Sequence, residues 1–255
     1  MNFRLVIEFT KREFTERYAG SVLGVLWTFV WPLVNIFIYF VIFSKVMGAR
    51  LPGSSSTFSY GIYLIAGIVP WTAFSNTVSR SATVFLEKKG IISGIKISLA
   101  YLPFYIVLSE TVIFLITFFV YVMLLVFKGH PIHGQFVLIP FLYLVQQIFA
   151  YGLGLFIGVF NVFIRDLKEV TNILLQIWFW FTPIVYVVDI LPDFTKKWFQ
   201  YNPAYLFIKA YQDILVFGVS PNYHSLITIT IIGHGFLALS YVCYKKLEKD
   251  IRDFI

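Results

Sequence analysis

The sequence predicts an all-α integral membrane protein with six transmembrane helices, and three observations carry that fold class. Of the 255 residues, 59% are hydrophobic and 13% are charged, well below the roughly 25% charge of a soluble domain. Mean hydropathy is +0.81. The apolar residues also fall into long runs, the first of which passes from Arg17 to Lys45 without a charge. About 20 such residues, at roughly 1.5 Å each, cross the hydrocarbon core of a bilayer.

Residues 2–18 predict an amphipathic helix lying in the headgroup plane. Phe3, Val6, Ile7, Thr10, Phe14 and Tyr18 share one side, and Arg4, Glu8, Lys11, Arg12 and Glu16 spread over the other; Leu5 and Phe9 fall off the stripe. Charges recur through this segment, so no cleavable signal is expected and insertion relies on the first span. That span is read at 22–47. Within it Trp27, Trp31, Asn35, Tyr39 and Phe43 recur every fourth residue. Such a stripe serves either helix packing and interfacial anchoring or the lining of a path for a polar, ring-shaped substrate such as a sugar. Four-residue spacing drifts about 40° per step on a 3.6-residue helix, so all five cannot face one narrow pore. The Tyr39–Phe43 end is assigned to the path and Trp27 to the interface.

Pro52, Gly53 and a serine run mark a loop. The second span, 60–82, carries Pro70 and Trp71 near its middle, where a kink or break is expected. A polar link follows at 85–98, with Lys88, Lys89 and Lys96. The third span, 99–127, holds Glu110, the one acid deep in an apolar run. The fourth, 136–163, carries Gln146, Gln147, Gly152, Gly154 and Gly158. The fifth, 170–188, is broken by Pro183. Residues 191–217 are interrupted by prolines and charges around pieces too short to span, which predicts two short re-entrant helices. The sixth span is 226–244. Lys and Arg concentrate in the N-terminal segment, the 85–98 link (with Arg80), Arg165 and Lys168, and the C-terminal tail; only Lys45, Arg50, Lys128, Lys196, Lys197 and Lys209 fall on the opposite side. That asymmetry makes both termini cytoplasmic.

The same distribution explains the net charge of +7 by loop bias and anionic lipid rather than nucleic acid. One cysteine, Cys243, supplies neither a disulfide nor a thiolate metal site. His130 and His133 lack a completing ligand, so no metal is assigned. Lys209 and Asp213 read as an ordinary i, i+4 pair. Gly154-x-x-x-Gly158 permits close helix contact, within one chain or between two. Glu110 reads first as a hydrogen-bonded group between helices and second as part of a transport relay. No nucleophile-and-base set or acid pair marks a catalytic site, which disfavours a membrane-embedded lipid-sugar transferase, the rival of a different class. Nor is there a G-x-x-x-x-G-K-[ST] loop. ATP hydrolysis would then come from another subunit, docking on 85–98 and the N-terminal helix.

Arg17, Tyr18, Ser21, Leu23, Gly24, Leu26, Trp27, Pro32 and Leu33 resemble the R-Y-x-x-S-x-L-G-x-L-W-x-x-x-x-P-L opening of the membrane subunits of ABC-2 type polysaccharide exporters. FIRDLKEV at 163–170, TPIVY at 182–186 and NPAYLFIKAYQDIL at 202–215 resemble later segments of the same family, in order and along nearly the whole chain. The resemblance is nearest to the O-antigen exporters, with teichoic-acid and capsule exporters as near relatives. One departure is the 90–96 stretch, which lacks the Phe-Pro that relatives often carry there.

The resemblance implies a homodimer in the bacterial inner membrane. Two separate nucleotide-binding subunits would hold ATP and Mg, and the cargo would be a glycan on a polyprenyl-pyrophosphate lipid. No cofactor and no catalytic residue are expected in this chain. Trp31, Asn35, Tyr39, Phe43, Trp71, Phe74 and Trp178 are the candidates for an aromatic channel lining. Phe85, Leu86, Lys88, Lys89, Lys96, Phe3 and Ile7 are the candidates for ATPase coupling, and Arg12 and Arg17 for admission of the lipid pyrophosphate. Trp198, Tyr201 and Pro203 are assigned to an external gate.

Overall fold

The computed structural model describes residues 3–17, 19–42, 51–52, 57–94 and 98–255, and among them there are ten α-helices and no strand. In chain order these are α1 (Phe3–Arg17), α2 (Trp27–Val41), α3 (Thr57–Glu87), α4 (Lys89–Gly94), α5 (Tyr101–Phe127), α6 (Ile139–Asn161), α7 (Leu167–Trp180), α8 (Asp193–Phe199), α9 (Pro203–Gln212) and α10 (Tyr223–Phe254). Four helical stretches are long and apolar enough to cross a membrane: Phe58–Glu87, Tyr101–Phe127, Gly134–Asn161 and Tyr223–Phe254. At 15 and 14 residues, α2 and α7 are shorter than a span needs. The described helices therefore account for four of the six expected spans.

α3 is the central element. Of its most apolar window 72% is buried inside the protein, against 22% for α5 and 17% for the last helix. It runs unbroken through Pro70, so the expected break is not there. Two of its carbonyls and Thr77 find partners across the helix interfaces. Gln146 Nε2 donates to the Pro70 carbonyl at 2.9 Å, Thr77 Oγ1 to Gln147 Oε1 at 3.1 Å, and Asn161 Nδ2 to the Ala82 carbonyl at 2.8 Å. In a setting without water such groups must be satisfied internally.

Glycines set how close α6 comes to its neighbours. A Cβ on Gly154 would stand 2.5 Å from Ser81 Cβ, one on Gly158 2.7 Å from the Ser81 carbonyl oxygen, and one on Gly152 2.8 Å from Leu237 N. The Gly154-x-x-x-Gly158 pair thus lies within one chain, against α3, while Gly152 seats α10.

The segments assigned to the cytoplasmic side by charge meet at one end of the molecule. Val6 of α1, Phe85 and Ile92 of the 85–98 link, Val162 and, from the tail, Tyr244 and Ile251 share one buried cluster. Here α1 also rests on protein. Val6 is fully buried and Phe9, which the stripe omits, packs tilted against Tyr105 with ring centroids 5.7 Å apart. Its apolar side covers protein. Periodicity alone cannot separate a lipid surface from a helix surface, because both reward the same moment.

At the other end α7 stops at Trp180, and residues 181–187 are irregular around Pro183. Their carbonyls are held by side chains of α3 and α9. Tyr60 Oη donates to Val185, Tyr63 Oη to Pro183 and Tyr186 at 3.2 Å each, and Gln212 Nε2 to Pro183 at 3.2 Å. Asn202 caps α9 by accepting from Ala204 N and Tyr205 N, accepts Trp178 Nε1 at 2.7 Å, and donates to the Phe181 carbonyl at 3.1 Å. One side chain fastens the end of α7 to the start of α9. The two short helices expected over 191–217 are present as α8 and α9, followed by a π turn at Asp213–Phe217 that ends on Gly218 with φ of +63°.

Candidate functional site

A cleft of about 580 Å³ opens between α2, α3 and α5. Trp27, Trp31, Asn35 and Tyr39 form its α2 wall, and Ile68, Thr72, Asn76, Ile113 and Phe114 face them. Four members of the four-residue stripe thus look into one space. The 40° drift is accommodated because the cleft is broad, and Trp27, expected as an interfacial anchor, lines it too. Its indole donates to Ser21 Oγ at 3.0 Å and its ring centroid lies 6.2 Å from that of Trp31. Trp31 itself is 59% exposed. Phe43 lies outside the described residues.

The floor of the cleft is charged. Glu110, 2% exposed, takes Arg80 Nη1 at 2.5 Å on one oxygen and Asn76 Nδ2 at 3.2 Å on the other, and Arg17 Nη2 stands 3.7 Å away. Arg80 also pairs with Glu13, which in turn accepts Arg17 Nη2 at 2.9 Å. The cluster joins α1, α3 and α5. Glu110 is therefore the inter-helix group that the first reading of its sequence describes, and its partners are Arg80, Arg17 and Asn76. Glu13, Asn76 and Arg80 were missed as site residues. Glu13 could have been found from its i, i+4 spacing to Arg17, whereas Arg80 looks in sequence like one more end-of-span cation.

Three of the proposed channel aromatics are not together with this wall. Trp71 and Phe74 are buried in the core. They sit in a ring cluster with Trp178, Phe149 and Phe207, at centroid distances of 5.2 to 6.2 Å. Their place is a correction: aromatic rings near mid-span fill α3's contacts with α6, α7 and α9 instead of facing an opening. Trp178 is half-buried and borders a second, mostly apolar hollow of about 660 Å³ with Trp180, Tyr186, Trp198, Tyr201 and Pro203. The three gate candidates are thereby brought together, with Trp198 and Tyr201 largely exposed.

The coupling candidates divide in a similar way. Phe85 is fully buried in the cluster beneath α1, so its side chain is a core contact and not a docking group. Leu86 and Ile7 are half-buried, Lys89 is exposed, and Lys88 pairs with Glu16 at 3.3 Å. Arg12 bonds Glu16 at 2.5 Å on the outer surface, away from the cleft that Arg17 lines. Arg12, and then Lys88, hold the Glu16 carboxyl below its ordinary range. Lys96 and the side chain of Phe3 lie outside the described residues. Among the described residues no three His, Cys, Asp or Glu side chains gather to hold a metal.

Residues 4–216 match the ABC-2 type transporter family. The chain is 28% identical over 247 residues to the O-antigen export system permease protein RfbA of Klebsiella pneumoniae, covering 96% of this chain and 93% of that protein. It is 26% identical to the RfbA of Myxococcus xanthus, over 98% and 95% of the two chains. Identity to the polysialic acid transport protein KpsM of Escherichia coli is 23%, over 88% of each.

Proposed function

The chain belongs to the ABC-2 type transporter family, and on that premise we propose that it is the membrane subunit of an ATP-driven exporter of polysaccharide carried on a polyprenyl-pyrophosphate lipid. The O-antigen class is favoured over capsule, because identity to the O-antigen permeases exceeds that to KpsM over longer alignments. Two copies form the path, with α2 and the α7–Val188 segment completing six spans per copy. The two short helices α8 and α9 re-enter the membrane from outside, and both termini face the cytoplasm. A pair of ATPase subunits binds ATP and Mg and docks on α1 and the 85–98 link.

The observation that carries this reading is the cleft in which one wall of aromatic rings meets a floor with arginine. Aromatic faces give sugar rings a broad apolar contact while their hydroxyls stay hydrated, and guanidinium groups match phosphate oxygens. ATP-driven closure of the partners presses on α4 and α1, which the Lys88–Glu16 pair joins. That motion opens the seam along which the glycan is threaded past Trp31, Asn35 and Tyr39 toward Trp198 and Tyr201.

The test is export of lipid-linked glycan by this chain reconstituted in vesicles with a candidate ABC ATPase partner. Wild-type protein is expected to move glycan only with ATP, W31A/Y39A to lose export while still binding the ATPase, and K88E/K89E to lose ATPase recruitment. Unchanged export by W31A/Y39A would reject the aromatic path. Glycan transfer chemistry by the chain without any ATPase would favour the transferase instead.

A further inference from the structure

The charged floor has a feature that mutual neutralisation does not require: two guanidinium groups converge on one carboxylate oxygen. Glu13 Oε1 accepts from Arg80 Nη2 and, at 2.9 Å, from Arg17 Nη2. The other amino group of Arg80, Nη1, is engaged by Glu110 at 2.5 Å. The two acids are not equivalent. Glu110 is buried on α5, and Asn76 fixes its second oxygen. Glu13 comes from α1, a separate helix resting on the spans, and both arginine side chains are about a quarter exposed, at 25% and 28%. Each arginine gives Glu13 one nitrogen, and two guanidinium donors converging on one anionic oxygen suit a phosphate oxygen as well as a carboxylate. A diphosphate also brings more negative charge to the pair than a single carboxylate does.

We propose that Arg17 and Arg80 form a diphosphate site whose occupant in this state is α1's own Glu13, and that a diphosphate group displaces Glu13 and releases the last turns of α1 from α3. The lipid carrier rests on the reading above; the diphosphate chemistry rests on the two arginines. Glu110 stays behind to hold Arg80 in place. Release is partial, because Val6 and Phe9 keep the first half of α1 in the core cluster. The apolar walls of the cleft that Arg17 lines, including Ile68, Ile113 and Phe114, suit an isoprenoid tail, but a free diphosphate offers the same headgroup.

The experiment is amide hydrogen exchange on the full chain in lipid nanodiscs, with inorganic pyrophosphate or undecaprenyl diphosphate as the two probes. Exchange over residues 10–17 is expected to rise several-fold on saturation, while residues 3–9 stay unchanged. E13Q should show the raised exchange without any probe and little further rise on saturation, the effect of losing the charge-assisted contact that the probe displaces. R80Q should respond to neither probe; R17Q, which leaves the Arg80–Glu110 pair in place, serves if R80Q does not fold. A response to the inorganic ion assigns the site to diphosphate alone, and a response to the lipid only assigns it to the lipid headgroup; either supports the proposal. No response of the wild-type chain to either probe at saturation, or a response in R17Q and R80Q equal to that of wild type, overturns it. Export that proceeds without any exchange response removes this inference alone, and an exchange response without glycan export removes the export reading alone.

Discussion

Gly158→Ala isolates what the glycine face of α6 does. The added methyl would stand 2.7 Å from the Ser81 carbonyl oxygen, and real Cβ atoms essentially never come within 3.0 Å. That oxygen is main chain of α3, so no rotamer change relieves the clash and the two helices must move apart. Overpacking of this kind costs about 1–3 kcal/mol, offset by roughly 0.5–1 kcal/mol of helix propensity gained when Gly becomes Ala. The net expectation is a loss of about 1–2 kcal/mol. Gly235, on α10, is the control because a Cβ there meets nothing within 4 Å; G235A should be neutral or gain up to about 1 kcal/mol. Thermal or denaturant unfolding of detergent-purified protein reads both. If G158A matches G235A in stability, the close approach of α6 to α3 is not what the glycine is for, and the reasoning fails.

Three further outcomes follow from other contacts. E110Q should destabilise by about 2 kcal/mol, below the ~3–5 kcal/mol of a fully buried broken pair because Arg80 is partly exposed; a second change, R80Q, should restore part of the loss in the same unfolding assay. N202A removes the cap of α9 and the acceptor for Trp178, so about 1–2 kcal/mol should be lost and protease should cut faster within 181–190. Burial holds His130 below its ordinary pKa beside the Leu215 carbonyl. A depressed folded pKa means that the unfolded chain binds more protons in the window below about 6.5. The stability it contributes is full above that value and is lost as pH falls through the folded value, and H130Q should flatten this dependence in pH-resolved melting curves.

Helix existence and order were legible in the sequence, since runs of apolar residues punctuated by Pro, Gly and Lys are local signals. The meeting of 85–98 with both terminal segments at one end followed from charge alone. What was not legible is which side of a helix faces protein. Phe85 and Trp71 look in sequence like any exposed aromatic at a span end or middle, yet both are buried. Phe9 fell off an ideal stripe because the surface that receives it, around Tyr105, is set by a helix about a hundred positions away. The charged floor is non-local in the same sense. Glu13, Arg80 and Glu110 come from three segments, and only the packing of α1 on α3 and α5 joins them.

The buried position of α3 also bears on how the chain is made. It is the least apolar of the four long helices, with a mean hydropathy of 1.2 in its best window against 1.7 to 2.5 for the others. Four of its partners, Glu110, Gln146, Gln147 and Asn161, leave the ribosome later, while Glu13, the other partner of Arg80, precedes it. Until α5 and α6 are made, Asn76 lacks Glu110, Thr77 lacks Gln147, and Arg80 has Glu13 but not Glu110. Newly made α3 therefore has to wait beside the insertion machinery, or on the water side of it, until α6 arrives. Biogenesis of this subunit is thus a pairing of α3 with α6 rather than a succession of independent insertions, and truncation before residue 139 leaves the central helix without Gln146, Gln147 and Asn161.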